Sequence, residues 1–495
     1  MSKIIIQNGN MCELDLPLKF AQKLYNEFAL RHPNAFYLRT RQRGMQNWDG
    51  KIHYITKTGQ FKIGLLPKVY DMCIEMGIKP KVVDMRQPLP KVSKVVTNIG
   101  KYKLRPEQEK AVKAVINNKI GNTPFHIGVL DYTVNAGKTL IMSSLYLSYK
   151  KQLKTLLITN DSDWLNQARE EFKQYLPGED ITFVQGKVLN WSNFTIGMVQ
   201  SISRNMRFYQ KELSQIDMVL VDEADQGGSK QYQNVITRLF NTRIRIGLSG
   251  TIYMSKLAKD KVKNMNLECF FGKVIAEFKL KDSIKKGYST KTIVKMVPGK
   301  PWYGNWESDC ISYKEIYDDS ITENNTAWTM AYNRLRWNIN QGRYPALVVC
   351  KHIAHCENLY KFFKKKLGDA YNIAYVHVNT PSKLRQQIMK DFREGKIDIL
   401  VSTTIIARGK NFPKLRYLLN AASMDSQEKS IQFLGRLVRT DKSKKKVYLD
   451  DLHYPGPYLD RHGKHRKQYY QRQELKVILL DKLWKKHPNH SLIKS

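Results

Sequence analysis

Ten short apolar runs in this chain fall into two series of five, with stretches of helical spacing between them. The first series is "FHIGVLD", "TLLITN", "FTIGMVQ", "MVLVDEAD" and "RIGLSGT"; the second is "ALVVCKH", "NIAYVHV", "DILVSTT", "RYLLNAA" and "KVYLDDL". Runs of this length bounded by turn residues are buried strands, and their alternation with helices calls for a parallel sheet with crossover helices. The expected fold class is therefore α/β, with two tandem parallel-sheet domains and a small N-terminal α+β region. At 495 residues the chain exceeds what one core accommodates. The expected divisions are 1–97 (basic accessory domain and Pro/Lys-rich linker), 98–290 (first sheet), 291–455 (connecting helices and second sheet) and 456–495 (basic tail).

Charge narrows the class of partner. Lysine and arginine number 83 against 44 acids, a formal excess of +39. Such an excess repels itself, and a polyanionic partner is the common reason to carry it. No apolar run reaches the ~18–20 residues needed to span a bilayer, and no signal-like apolar segment opens the chain. The cysteines at 12, 73, 269, 310, 350 and 356 form no C-x-x-C pair. An intracellular, reducing setting with a nucleic-acid partner and no membrane is expected.

The stretch "VLDYTVNAGKTLIMS" carries the first chemistry. A strand-like run gives way to Asn135, Ala136, Gly137, Lys138 and Thr139, and a helical run follows. That context turns backbone N–H groups and the positive end of a helix toward phosphate. Lys138 would reach the β- and γ-phosphates of ATP, and the Thr139 hydroxyl would coordinate Mg²⁺. Tyr132 stands where the spacing G-x-x-x-x-G-K-T has its first glycine, a departure expected to lower affinity or speed. Asn135 also occupies a position often taken by glycine, and Asn visits the left-handed region readily.

A second run, "IDMVLVDEADQ", ends in two acids at a strand terminus. Asp222 is suited to hold the metal, and Glu223 to polarise a water. In the second series, "KSIQFLGRLVRT" spaces Gln432, Gly435, Arg436 and Arg439 at i, i+3, i+4 and i+7. Those intervals predict one helix face carrying both guanidinium groups. Arginines brought to a phosphate loop by another domain neutralise transition-state charge, so hydrolysis would require domain closure.

Taken in order, "LRPEQ", "NAGKT", "VDEAD", "LSGT", "VSTTIIARGKNFP" and "QFLGRLVR" resemble the motif set of the superfamily 2 helicases. The resemblance spans residues 98–452 and implies two RecA-like domains, ATP and Mg²⁺. It implies that Gln108 recognises adenine and that Ser249 and Thr251 link hydrolysis to strand binding. It also implies that Gln200, Thr403, Thr404 and Gly409 lie near the nucleic-acid backbone or the cleft. Asn411 replaces the Asp usual after the glycine of its motif. "SGT" stands where DEAD-box RNA helicases carry S-A-T, so the letters Asp-Glu-Ala-Asp do not by themselves indicate RNA.

The segment "FYLRTRQRGMQNWDGKIHYITKTGQFKIGLLP" is similar to the N-terminal domain of UvsW-type phage recombination helicases, with a basic strand and an Asn-Trp-Asp-Gly-Lys turn. Arg41, Arg43 and Lys51 are candidates for phosphate contact there, while Trp48 is read as packing over the turn. The tail's "RHGKHRKQYYQR" is read as stacking on nucleic acid or as solvated. The expected activity is that of an ATP-dependent DNA helicase or translocase. The resemblance implies branched DNA as substrate (recombination intermediates, forks, R-loops), with RNA in hybrids, and a phage origin acting in a host cytoplasm. Three alternatives stay open: an RNA helicase or remodelling ATPase, a nucleic-acid binder with a decayed ATP site, and the motor of a nuclease complex.

Overall fold

The computed structural model describes residues 2–41, 45, 47–186, 188–252, 260–299, 312–407, 412–441 and 444–480. The chain divides into two compact units, Met1–Phe278 and Lys279–Ser495.

The central sheet of the first unit runs, edge to edge, through Val188–Leu189, Ile181–Gln185, Phe194–Met198, Thr155–Thr159, Met218–Asp222, Ile244–Ser249, His126–Tyr132 and Val274–Phe278. All pairs are parallel except the first. The five expected strands occupy its centre and are buried along their whole length. That is why they read as unbroken apolar runs rather than as alternating ones. The flanking strands Ile181–Gln185 and Val274–Phe278 are part-exposed, and their mixed composition hides them from the same criterion.

The N-terminal residues build a separate mixed sheet in the order Gln60–Lys62, Met11–Asp15, Lys3–Ile6, Lys81–Asp84. Lys81–Asp84 comes from the stretch expected to be linker, and it pairs parallel with Lys3–Ile6. This small sheet is tied to the large one by Arg245, fully buried mid-strand. Its guanidinium donates to Asn10 Oδ1 at 2.8 Å and to Phe270 O at 3.2 Å. Asn10 in turn donates to Thr237 O at 3.1 Å.

One N-terminal expectation is overturned. "FYLRTR", read as a basic strand, is the helix Ala35–Arg41. Pro33 and Asn34 end the strand Ala29–Arg31, and Ala35 N and Leu38 N donate back to His32 O and Asn34 O to open the helix. Helical spacing then sets the Arg41 guanidinium over Tyr37, 4.9 Å from the ring centre.

The second unit has an all-parallel sheet in the order Ile373–Val376, Ile399–Thr403, Ala346–Cys350, Tyr417–Asn420, Lys446–His453, Lys291–Pro298, Lys476–Leu479. Again the five expected strands are present. The last strand, and the helix Leu459–Arg472 before it, come from residues read as a basic tail. Their charge is misleading, because Arg466 is fully buried. It donates to Asp451 at 2.8 and 2.9 Å, to Leu452 O at 2.9 Å and to Met424 O at 3.1 Å. Tyr470 and Asn420 complete the shell of Asp451 at 2.7 and 2.8 Å. Residues 481–495 lie outside the described residues.

No helix among the described residues is long and apolar enough to cross a membrane. The five described cysteines are free and buried. Removing one partner of a buried, fully bonded ion pair strands the other. Arg466→Met is therefore expected to lower the stability of the second unit by about 3–5 kcal/mol in a denaturant titration.

Candidate nucleotide-binding site

The phosphate-loop candidate leaves the sheet at Tyr132 and enters the helix Lys138–Ser148. Its two left-handed positions are Asn135 at φ 65° and Gly137 at φ 71°. Neither falls on Tyr132, which is the last residue of a strand. A glycine is not needed there because the turn is made three and five residues later. Tyr132 is 0% exposed, lies beside Phe278, and donates its hydroxyl to Glu107 O at 2.8 Å. The residue read as a departure from the loop pattern is thus a core side chain that ties the loop's base to the helix Pro106–Ile116.

That helix also carries Gln108. Its Oε1 accepts from Arg105 N at 2.8 Å, and its Nε2 donates to Ala136 O at 2.8 Å. Arg105 reaches Asn135 O at 3.4 Å. Glycine at 137 suits the left-handed backbone angle, and a β-carbon there would lie 2.3 Å from Gln108 Nε2 and displace that amide. Sequence reasoning singled out Gln108 but missed Arg105, which stands beside it in the same "LRPEQ" run.

At the end of the strand Met218–Asp222, the Asp222 carboxylate lies 3.9 Å from Lys138 Nζ. Asp222 is 6% exposed, and its Oδ1 has no hydrogen-bond partner among the described residues. Burial pushes its carboxyl above the usual range. The Lys138 ammonium and the Glu223 backbone N–H oppose that shift, and Asp225 and Asp161 add to it. A buried carboxylate oxygen facing an ammonium just beyond hydrogen-bond reach suits a cation with phosphate oxygens around it. The donor set therefore fits magnesium and a nucleotide phosphate.

Glu223 follows at φ 51°, left-handed for a non-glycine residue, and accepts from Gln226 Nε2 at 3.3 Å. Such a conformation is unfavourable by about 1–3 kcal/mol and persists where surrounding structure holds it. The third acid, Asp225, accepts from Ser249 Oγ at 2.7 Å, and Ser249 lies 3.0 Å from Thr251 Oγ1. The "DEAD" and "SGT" segments are thereby joined directly. Gln226, bonded to both Glu223 and Asn160, was not anticipated and gives no signal beyond its adjacency to the acids. Gln200 opens the short helix Val199–Arg204, and its Oε1 is buried without a partner among the described residues.

The other candidates lie in the second unit. Thr403 ends a strand, and Thr404 accepts from Lys429 Nζ at 3.3 Å. Gln432 and Arg436 lie on the helix Gln427–Leu437. Arg439 does not, contrary to the i+7 expectation. The helix stops at Leu437, because the carbonyls of Val438 and Arg439 are taken by Thr290 N at 2.8 Å and Thr290 Oγ1 at 3.2 Å. Gly409 and Asn411 lie outside the described residues, as does Arg43. Arg41 and Lys51 sit on the helix Ala35–Arg41 and the strand Lys51–His53.

The comparisons with known proteins agree with this arrangement. Residues 101–254 match the family described as Type III restriction enzyme, res subunit, and residues 331–441 match the Helicase conserved C-terminal domain. The chain is 21% identical over 436 residues to the ATP-dependent DNA helicase uvsW of Enterobacteria phage T4, covering 82% of each. It is 23% identical over 385 residues to helicase 22 of Sulfolobus islandicus filamentous virus, covering 71% of this chain but only 64% of that relative. In fold it is similar to the ATP-dependent Type ISP restriction-modification enzyme LlaBIII bound to DNA. That likeness has a TM-score of 0.55 at 13% identity, over 84% of this chain and 35% of that one.

Tyr132 yields a direct test of whether the altered loop position is structural. Tyr132→Phe removes the hydroxyl's hydrogen bond to Glu107 O and is expected to lose about 1 kcal/mol of first-unit stability. Tyr132→Gly is expected to lose about 4 kcal/mol or more, because a large core side chain is removed. Denaturant unfolding of the two variants checks both values.

Proposed function

Because the chain belongs to the superfamily 2 helicases, we propose that it is an ATP-driven DNA motor that processes branched DNA. The approach of Lys138 to the buried Asp222 oxygen, which has no hydrogen-bond partner among the described residues, is the observation that carries the ATPase half of this reading. When bound, ATP with Mg²⁺ supplies a phosphoryl group whose transfer to water releases the energy used. Lys138 neutralises charge on the phosphates, Thr139 and Asp222 hold the metal, and Glu223 accepts the proton of the attacking water. Gln108 reads the adenine edge. Arg436 and Arg439 act from the second unit, so full catalysis requires the units to close, and Gln432 orients the same cluster. Ser249 and Thr251, through Asp225, relay the state of the metal-binding strand end toward the strand-binding residues Gln200, Thr403 and Thr404.

The DNA half rests on charge placement and on the relatives. The T4 protein's name specifies DNA, and the sequence similarity to it covers 82% of this chain. In the N-terminal part, Arg31, Arg39 and Lys51 line a cavity of about 600 Å³ beside Phe36, which is 79% exposed. Arg31 and Lys51 are directly opposed in the antiparallel pair of strands Ala29–Arg31 and Lys51–His53. Like charges so placed repel, and a phosphate backbone between them relieves that repulsion. Asp49, the acid in that cavity, is engaged by His53 at 2.7 Å and by Lys51 N at 2.9 Å. It leaves the cations available to a polyanion.

Steady-state ATP hydrolysis with no polymer, single-stranded DNA, forked DNA and matched RNA tests the whole reading. Forked DNA is expected to stimulate most. Lys138→Ala and Glu223→Gln are each expected to lower the stimulated rate by about 10²-fold or more. Stimulation by RNA alone would transfer the activity to RNA remodelling, and hydrolysis no higher than in these two variants on every polymer would leave only a binding protein. Separately, Lys51→Ala is expected to weaken DNA binding evenly across sequences and to lower the slope of log K against log salt by about 1.

A further inference from the structure

The end of the arginine-bearing helix is held in an unusual way. A helix leaves its last carbonyls without intrahelical donors, and a left-handed residue commonly satisfies them. Here the residue after the helix, Val438, is right-handed at φ −77° and ψ −3°. Three consecutive carbonyls are instead taken by donors from outside the helix. Leu437 O accepts from Lys444 Nζ at 3.1 Å, Val438 O from Thr290 N at 2.8 Å, and Arg439 O from Thr290 Oγ1 at 3.2 Å. Lys444 Nζ also donates to Leu415 O at 3.1 Å, which anchors it beside the strand Tyr417–Asn420. Thr290 immediately precedes the strand Lys291–Pro298, which pairs with Lys446–His453. Both anchors therefore belong to the sheet rather than to mobile surface.

Thr290 is 6% exposed and Lys444 is 7% exposed. Burying an ammonium is unfavourable, and burial pushes that of Lys444 down to about 8, Asp441 partly offsetting it. This side chain donates to the backbone carbonyls of Leu415 and Leu437, so its place in the fold is to fix a backbone path. The path it fixes carries Arg436 in the last turn of the helix and Arg439 two residues past the end.

We propose that Thr290 and Lys444 are positioning residues for ATP hydrolysis, setting the trajectory of residues 437–439 and with it the placement of the Arg436 and Arg439 guanidinium groups. The proposal rests on the reading of those two arginines as the groups that stabilise the transferred phosphoryl. A shift of ~1 Å in a catalytic group lowers rates by on the order of 10²-fold. Partial loosening of the clamp therefore shows in kcat before it shows in binding.

The test compares Thr290→Val with Thr290→Ser in the full chain, measuring kcat and KM for ATP under saturating forked DNA, with Lys444→Met and Lys444→Arg beside them. Thr290→Val keeps the side-chain shape and removes only the hydroxyl, so it tests the clamp even if Lys444→Met fails to fold. Expected is a loss in kcat of about tenfold for Thr290→Val at unchanged KM and unchanged DNA affinity, with Thr290→Ser restored to near the parent value. Lys444→Arg is expected to retain more kcat than Lys444→Met. Equal losses in Thr290→Val and Thr290→Ser, or a rise in KM at constant kcat, would overturn the clamp. Arg436→Ala and Arg439→Ala separate the two readings. If they abolish hydrolysis while Thr290→Val matches the parent, the clamp alone is wrong; if they hydrolyse at the parent rate, the arginine reading fails and the clamp falls with it.

Discussion

A buried carboxylate oxygen with no hydrogen-bond donor is an expensive thing for a protein to keep. Among the described residues Asp222 keeps one, at the C-terminal end of a strand buried along its whole length, with the Lys138 ammonium 3.9 Å away. Too far for a hydrogen bond, that ammonium lowers the electrostatic penalty without removing it. The rest of the first unit is arranged around this imbalance. The parallel sheet brings the ends of His126–Tyr132 and Met218–Asp222 to the same edge, the helix starting at Lys138 points its N-terminus there, and Gln108 and Arg105 hold the intervening loop.

Two buried arginines, by contrast, spend their charge on the core itself. Arg466 and Asp451 saturate one another with help from Tyr470, Asn420 and two carbonyls. Arg245 donates to the N-terminal sheet and to Phe270 O. Both are cationic residues that composition alone would assign to a nucleic-acid partner, and both join elements of the core. A formal charge of +39 thus overstates the surface available to a polyanion. Around the N-terminal helix Ala35–Arg41, Arg31, Arg39 and Lys51 line one cavity.

The two groups of motif residues differ in how they are held. In the first unit the links run side chain to side chain, as in Asp225 to Ser249 to Thr251, so a change at one strand end is felt at the next. In the second unit the arginine segment is held through its backbone, by Thr290 and Lys444. Backbone anchoring leaves the guanidinium groups to be placed by the path of the chain itself.

Sequence by itself determined ten strands, nine of them internal to their sheets and Ile373–Val376 at an edge, because a strand covered on both faces reads as an apolar run and a parallel sheet needs a helix between strands. It also determined the candidate loop, the acids at a strand end and the basic helix, since each is a local pattern with a local physical reason. Tertiary structure decided the rest. The part-exposed edge strands have no distinctive composition, and the last of them came from residues whose charge suggested a tail. Tyr132 looked like a defect in a phosphate loop until its hydroxyl was seen on Glu107, 25 residues away along the chain. The helix expected to carry Arg439 ends early because Thr290, 149 residues before it, takes the carbonyl oxygen of that arginine. Contacts across such separations leave no periodicity and no spacing in the sequence, because they are set by which strands become neighbours and not by which residues are adjacent.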